Sequence, residues 1–394
     1  MQKKKILVIS QNYYPEQFRI NDICEELVKI GHDVTVLTGL PNYPQGKLYP
    51  GYEKKQKRHE VINGIKVIRA YERERKSGGA INLFLNYYSF MFSSQKTLNK
   101  LDHNFDVVLV NQLSPIMQAK AGIKYKKKYG AKLILYCLDL WPASLLVGGI
   151  KQNGLIYNYY KMLSKKIYNA CDKLLVTSKM FIDYFQEEFG FDTSQITYLP
   201  QYAEDMFKDL PTKKSDGKTN LVFAGNVGKA QSVETIIKAA RLLESNTNLS
   251  FHIIGNGSNL ENCKKLAEGL SNVKFYGQLP LEEMPNFYAM ADAMLVSLGK
   301  NDLISKTLPG KVQTYMAAGK PIIASGDNEM KNIIEEAGCG LCSTAEDEKL
   351  LSENILKFIE SSNKQEMGQK ARKYYENNFS KELFFKKLEQ ILEN

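Results

Sequence analysis

Short apolar runs of strand length alternate with longer runs of helical period, and this rhythm limits the chain's fold more than any other feature. "KILVIS" is followed by a helix-like "INDICEELVKIG" and then by "DVTVLTG". "GIKVIRA", a long helix over 81–101, "FDVVLVN", a helix over 114–129 and "KLILYCLD" continue it. A helix over 155–170, "KLLVTS", a helix over 179–189 and "ITYLP" close the series. The strand runs are apolar on both faces. Strands of that kind need helices above and below them, which predicts a parallel sheet built from βαβ units.

The rhythm stops at 202–219, "YAEDMFKDLPTKKSDGKT", which is polar, holds Pro and Gly, and has no period. It reads as a linker. The pattern then restarts with "NLVFAGN", "SVETIIKAARLLE", "LSFHIIGNG", a helix over 258–269 and "VKFYGQL". A helix over 281–290, "AMLVSL", a helix over 311–318, "PIIAS", and helices over 330–338 and 347–361 follow. The tail, 381–393, is amphipathic. With 394 residues the chain has room for two such domains. The predicted class is α/β: two tandem Rossmann-like, doubly wound parallel sheets. In sheets of this kind ligands bind outside the carboxyl ends of the strands, so two facing domains would place a cleft there. Neither first strand leads into G-x-G-x-x-G, which argues against a dinucleotide oxidoreductase.

"LPGKVQTYMAAGKPIIAS", Leu308 to Ser325, is the most informative stretch. Pro309 and Gly310 open a short helix and Gly319 and Pro321 stop it. The free N–H groups of a first helical turn favour an anion, and Lys311 adds a full positive charge. The residues suit a phosphate site; they also suit an ordinary helix between two loops.

Charge points the same way. The net charge is +10. Nine Lys/Arg face four Glu between Glu53 and Lys76, and Lys120 to Lys132 adds six lysines without an acid. Beside the first cluster, after Ser77-Gly78-Gly79, lies the aromatic-rich "INLFLNYYSFMF", Ile81 to Phe92. A basic patch next to such a helix suits an anionic membrane surface; the helix also suits a core, with solvated lysines around it. No nucleic-acid motif accompanies the charge. No apolar run reaches the ~18 residues that span a bilayer. The six cysteines are scattered, and Cys339-Gly-Leu-Cys342 has neither a second pair nor a nearby histidine, so we expect reduced thiols rather than zinc. The first ten residues read as a buried strand, not a leader.

The order of "GHDVTVLTG", "FAGNVGKAQSVETIIKAA", "FHIIGNG", "VKFYGQLPLEEMPNFYAMADAMLVSL" and "PGKVQTYMAAGKPIIAS" resembles a retaining glycosyltransferase of family 4 with the GT-B architecture. "SQNYYPEQFRINDICEELVKIGHDVTVLTGLPNYPQGK" and "LDLWPAS" resemble its WbuB-like branch, which adds N-acetylated amino sugars in O-antigen or capsule assembly. The resemblance implies an acceptor-binding domain, 1–201, with a C-terminal helix, 376–394, packed back on it. It implies a nucleotide-sugar domain over 202–375.

It also implies roles. The donor, UDP-linked by this likeness, would meet Gly225, Asn226, Gly228, Lys229, Gln231 and Gly255. Its base would lie near Gln278 and Leu279, and its diphosphate near Pro309, Gly310 and Lys311. Lys229 and Lys311 would offset charge on the leaving diphosphate. The chain departs from the family at its two glutamates, whose places are held by Lys306 and Thr314; Thr314 or Gln313 would have to hold the ribose. On the acceptor side the resemblance points to Asp139, with Glu16, Arg19 and Trp141 beside it. Asp139 also suits a helix cap or loop carboxylate, Glu16 and Arg19 a surface ion pair, and Trp141 a core residue. No protein nucleophile, metal or other cofactor is expected. The acceptor would be a sugar on undecaprenyl diphosphate, reached by a cytoplasmic protein at the inner face of the membrane. A nucleotide-sugar 2-epimerase and a non-catalytic nucleotide-sugar binder are the alternatives. The oligomeric state is not encoded legibly.

Overall fold

The computed structural model describes residues 2–53, 56–76, 79–212 and 217–393. Lys54 and Lys55 of the first basic cluster, Ser77 and Gly78 before the aromatic helix, and 213–216 of the expected linker lie outside the described residues.

The chain divides into two compact units. The first takes the residues up to Thr177, Phe181–Tyr198 and the chain from Ile391 on; the second takes Ser178–Met180 and Leu199–Gln390. Each is built on one sheet. In the first unit the strands are β1 (Lys5–Ile9), β2 (Asp33–Thr38), β3 (His59–Ile62), β4 (Ile65–Arg69), β5 (Val107–Gln112), β6 (Lys132–Cys137), β7 (Lys173–Val176) and β8 (Ile196–Tyr198). They lie in the order β3-β4-β2-β1-β5-β6-β7-β8. All pairs are parallel except β3 with β4. Ile6, Leu7, Val8 and Ile9 of the central strand are fully buried, as a strand covered on both faces must be.

The second unit holds β9 (Thr219–Ala224), β10 (Leu249–Ile254), β11 (Val273–Gly277), β12 (Ala293–Ser297), β13 (Ile322–Ser325) and β14 (Gly340–Ser343). Their order, β11-β10-β9-β12-β13-β14, is all parallel and reverses direction of winding between β9 and β12. That is the doubly wound dinucleotide-fold order, and the reversal opens a crevice at the carboxyl end of β9. The tandem α/β expectation holds.

Local differences have physical causes. Asn63-Gly64, with φ of 51° and 81°, makes a two-residue hairpin turn, so β3 folds back on β4 where only the second arm was expected. Part of the expected linker is packed. Tyr202, Ala203 and Phe207 are buried, and Phe207 stacks on Tyr288 at 4.7 Å. A further helix, Lys364–Asn378, runs where none was expected, and its Tyr375 hydroxyl accepts from the Ala203 N–H at 3.2 Å. In the last helix, Lys381–Glu393, Phe384 and Phe385 pack on Tyr202 at 4.9 and 5.7 Å. Residues up to Gln390 therefore group with the second unit and only the end from Ile391 with the first, whereas the sequence reading assigned all of 376–394 there.

Candidate active site

In the second unit the loops after β9, β10 and β11 are woven together by their backbones. Gly225 N–H donates to Ile254 O (2.9 Å), Gly255 N–H to Gly277 O (2.7 Å) and Val227 N–H to Asn256 O (2.9 Å). Gly255 has a φ of 137°, and a Cβ there would lie 1.8 Å from the carbonyl oxygen of Gly225. Only glycine allows the two loops to approach so closely. Tyr315, from the helix Gly310–Ala317, fixes the end of β9: its hydroxyl donates to Ala224 O and accepts from Ala224 N–H, both at 3.1 Å.

Lys311 lies on the second position of that helix. The residue as a whole is half-buried, but its ammonium nitrogen is fully buried and has no hydrogen-bond partner. It rests 3.9 Å from the centroid of the Phe223 ring, and a Cβ on Gly225 would be 3.0 Å from it. Burial pushes its pKa down to about 7. A cation over an aromatic face is partly satisfied; a buried ammonium with no acceptor still lacks one. An arriving oxyanion would supply the acceptor and restore the charge.

Around it, the residues expected at the donor site separate into three kinds. Gly228 opens a 3-10 turn, and Gln231 accepts from Gly228 N–H (3.2 Å) and from the Asn226 amide (3.0 Å). Asn226 and Gln231 thus shape the loop by bonding to each other. Lys229 is exposed on the same turn, as are Gln278 beyond β11 and Gly310; Leu279 and Pro309 are half-buried. Gln313 and Thr314 depart from the expectation that they hold a ribose. The Gln313 amide nitrogen donates to Pro309 O (2.9 Å) and Gly310 O (3.2 Å), and the Thr314 hydroxyl donates to Gly310 O (3.1 Å). Both are buried and turned onto their own helix. Lys306 gives its carbonyl to the Ser178 hydroxyl.

In the first unit, Asp139 follows β6. Its carboxylate accepts from Ser114 N–H at 2.8 Å, and Ser114 also receives the Trp141 indole N–H at 2.9 Å. Burial raises the Asp139 pKa against those bonds. Trp141 is 2% exposed and packs edge-on against Tyr160, so it is core and not an open platform for a ligand. Arg19 is half-buried at the start of the helix Arg19–Ile30. Glu16 corrects the expectation of a surface ion pair. It is 2% exposed and accepts from the N–H groups of Asn42 (2.8 Å) and Tyr43 (2.6 Å) and from the Asn12 amide (3.0 Å). The loop after β2 needs an acceptor for two inward N–H groups, and Glu16 is it.

A residue that sequence reasoning missed lies beside this network. Glu72 is 1% exposed. One of its oxygens accepts from Gln11 (2.8 Å), Asn42 (3.1 Å) and Asn86 (2.7 Å), and the other has no partner. Burial raises its pKa to about 7. In sequence it sits in "ERERK", which reads as a solvated charge run. Phe223 was likewise missed, because an apolar strand residue gives no sign of the cation above it.

Residues 18–201 match the description "Glycosyltransferase Family 4" and residues 206–374 match "Glycosyl transferases group 1". The chain is 28% identical over 270 residues to the "Probable glycosyltransferase WbjE" of Pseudomonas aeruginosa, covering 64% of this chain and 66% of that one. It is 26% identical over 384 residues to the "Putative colanic acid biosynthesis glycosyl transferase WcaI" of Escherichia coli (strain K12), covering 89% and 91%. The structure of Anabaena Alr3699/HepE in complex with UDP and glucose superposes with a TM-score of 0.70 at 13% identity, over 99% of this chain and 100% of that one. The sheets and their crevice define a protein of GT-B architecture. The chain is a GT-B glycosyltransferase.

Proposed function

We propose that this protein is a retaining glycosyltransferase of the WbuB-like branch. It moves a sugar, an N-acetylated amino sugar, from a UDP-linked donor to a sugar on a lipid diphosphate carrier in bacterial surface polysaccharide assembly. The observation that carries the reading is the buried, unpartnered Lys311 ammonium at the carboxyl end of β9. It sits at the winding reversal, where a doubly wound sheet binds its ligand. A nucleotide diphosphate brings the oxyanion that Lys311 lacks. As the glycosidic bond to the sugar breaks, charge grows on that diphosphate, and a preorganised cation in a dry site stabilises it. Lys229 and the free N–H groups of the 310–317 helix add to the field. Donor binding is then metal-independent, and the leaving phosphate takes the acceptor proton without a protein nucleophile. Asp139 is the residue we assign to orienting the acceptor hydroxyl.

HepE, of the same fold, is seen with UDP and glucose, and WcaI is named for colanic acid biosynthesis; both support this substrate class. Among the described residues no helix is long and apolar enough to cross a membrane. Peripheral contact on the cytoplasmic face is supported by two neighbouring helices of the first unit. Ala80–Thr97 exposes Ile81 (78%) and Phe92 (65%), and Leu155–Tyr168 exposes Leu155 (92%) and Met162 (61%). The two helices meet through Tyr88 and Tyr160, whose hydroxyls are 2.9 Å apart. Lys165 and Lys166 stand on the second helix.

A thermal-shift panel of UDP, GDP, ADP, CMP and UDP-amino sugars, each with and without EDTA, tests the reading. Stabilisation by UDP that EDTA leaves unchanged supports it, and the configuration of the transferred sugar by NMR reports retention. Stabilisation by another nucleotide, or its loss in EDTA, contradicts it. The inward turn of Gln313 and Thr314 favours one second reading, a non-catalytic nucleotide-sugar binder, which would bind UDP and transfer nothing.

A further inference from the structure

The first unit holds a cavity of about 950 Å³ between the β3–β4 hairpin, the loop after β4 and the end of the aromatic helix. Five Lys/Arg side chains line it, and four of them are Arg58, Arg73, Lys76 and Lys100. Among the described residues none of the four makes a side-chain ion pair. The Nη1 atom of Arg58 is buried and has no hydrogen-bond partner.

Of the other charges on the wall, Arg69 and Glu74 are already committed and Glu72 is committed through one oxygen. Arg69 donates from Nε to Glu60 (2.8 Å), from Nη1 to Gly39 O (3.4 Å) and from Nη2 to Tyr14 O (2.6 Å). Glu74 accepts from Leu48 N–H at 2.9 Å. Glu72 spends one oxygen on three amides. The surplus in the cavity is therefore cationic, and part of it is desolvated. A buried guanidinium nitrogen without an acceptor costs free energy that a planar or tetrahedral oxyanion recovers by accepting from the guanidinium fork. The wall also carries Tyr71, which is 57% exposed and offers a flat face to whatever the anion bears.

We propose that this cavity is a second anion site, distinct from the crevice at Lys311, which binds a phosphate-bearing ligand through Arg58 and Arg73 with Lys76 and Lys100 at its rim. Two sources carry that chemistry: the diphosphate of a lipid-linked acceptor, in which case the site deepens the reading above and rests on it, or a free polyphosphate. The shared chemistry stands without any transferase activity.

The test uses inorganic pyrophosphate and the full chain carrying Lys311→Met, which silences the crevice. Calorimetric titration is expected to show one remaining site, weakened at least about tenfold by adding Arg58→Gln and Arg73→Gln. Should that variant not fold, Lys76→Gln with Lys100→Gln, both on exposed residues, is expected to weaken the same site severalfold. No binding to the Lys311→Met chain, or binding that none of these changes alters, would overturn the proposal. UDP binding to the otherwise wild-type chain would meanwhile leave the donor reading intact. Nanodiscs carrying a polyprenyl diphosphate sugar separate the sources. If the lipid is the ligand, Arg58→Gln/Arg73→Gln raises KM for that acceptor and leaves UDP affinity unchanged. If a free polyphosphate is the ligand, KM stays constant while pyrophosphate binding is still lost.

Discussion

At the carboxyl ends of the first unit's strands, side chains bond to side chains: Gln11, Asn42 and Asn86 donate to one oxygen of Glu72 and Gln11 also to Asn86, while Glu16 takes the Asn12 amide and the N–H groups of the loop after β2. At the same ends in the second unit, backbone approaches backbone through Gly225 and Gly255, and one cation, Lys311, is left over. The strand order about the centre is shared, yet the two sites are furnished oppositely. A tight backbone frame beside a helix start that carries a single reserved charge suits a diphosphate, whose chemistry is the same for every nucleotide sugar. A lattice of carboxylates and amides is specific in what it accepts, and under the proposed function selectivity for the acceptor would be written there.

The largest test of this contrast is Lys311→Met. Removing one preorganised charge from a developing oxyanion is expected to cost roughly 2.7–4 kcal/mol in the transfer step, about 10²–10³-fold in kcat, with the fold kept. An Asp139→Asn change is expected to act on the acceptor side alone, raising KM for acceptor more than for donor; equal effects on both would blur the division between the units.

Gly255→Ala is next. The added methyl meets Gly225 O at a distance no contact tolerates, on a backbone at φ 137°. We expect a loss of about 2–3 kcal/mol in denaturant unfolding and weaker UDP binding. An unchanged midpoint would show that the loops are not held by that approach.

The two buried ionisable groups should respond to pH with opposite signs. Glu72 is raised from 4.5 to about 7, so the folded chain keeps a proton that the unfolded chain has released. Stability then falls as pH rises through that window. Lys311 is lowered from 10.5 to about 7, so the folded chain lacks a proton that the unfolded chain holds, and stability rises from about pH 7 toward 10.5. Denaturation midpoints against pH should lose the falling limb in Glu72→Gln and the rising limb in Lys311→Met. Curves parallel to wild type in either variant would contradict the burial argument. The smallest effect on the fold is expected from Leu155→Glu with Met162→Glu: these exposed positions should leave the midpoint within ~0.5 kcal/mol while weakening flotation with anionic vesicles.

Most of the fold was legible, because a strand covered on both faces leaves a continuous apolar run such as "KILVI", and the helices between such runs fix a parallel sheet. The hairpin arm β3 was not, since an exposed edge strand carries no such run. Lys311 was legible from Pro309-Gly310-Lys311. Its burial over Phe223 was not, for it depends on a residue 88 positions away. Glu72 was hidden for the same reason: its partners lie 61, 30 and 14 residues off in sequence, and its neighbours are charged and look solvated. Glu16 and Trp141 show the reverse error, in which polar or aromatic residues of a loop read as available when the loop's own backbone and core had already taken them.

The measurement that bears most directly on the central claim is the affinity for UDP at pH 7.5, by calorimetry, of the wild-type chain and of Lys311→Met. If the buried ammonium is reserved for the diphosphate, binding to wild type takes up protons from the buffer, and Lys311→Met binds at least about tenfold more weakly without that uptake. Equal affinity and no buffer dependence in either protein would show that the diphosphate is held elsewhere, and that Lys311 is a lysine of the core.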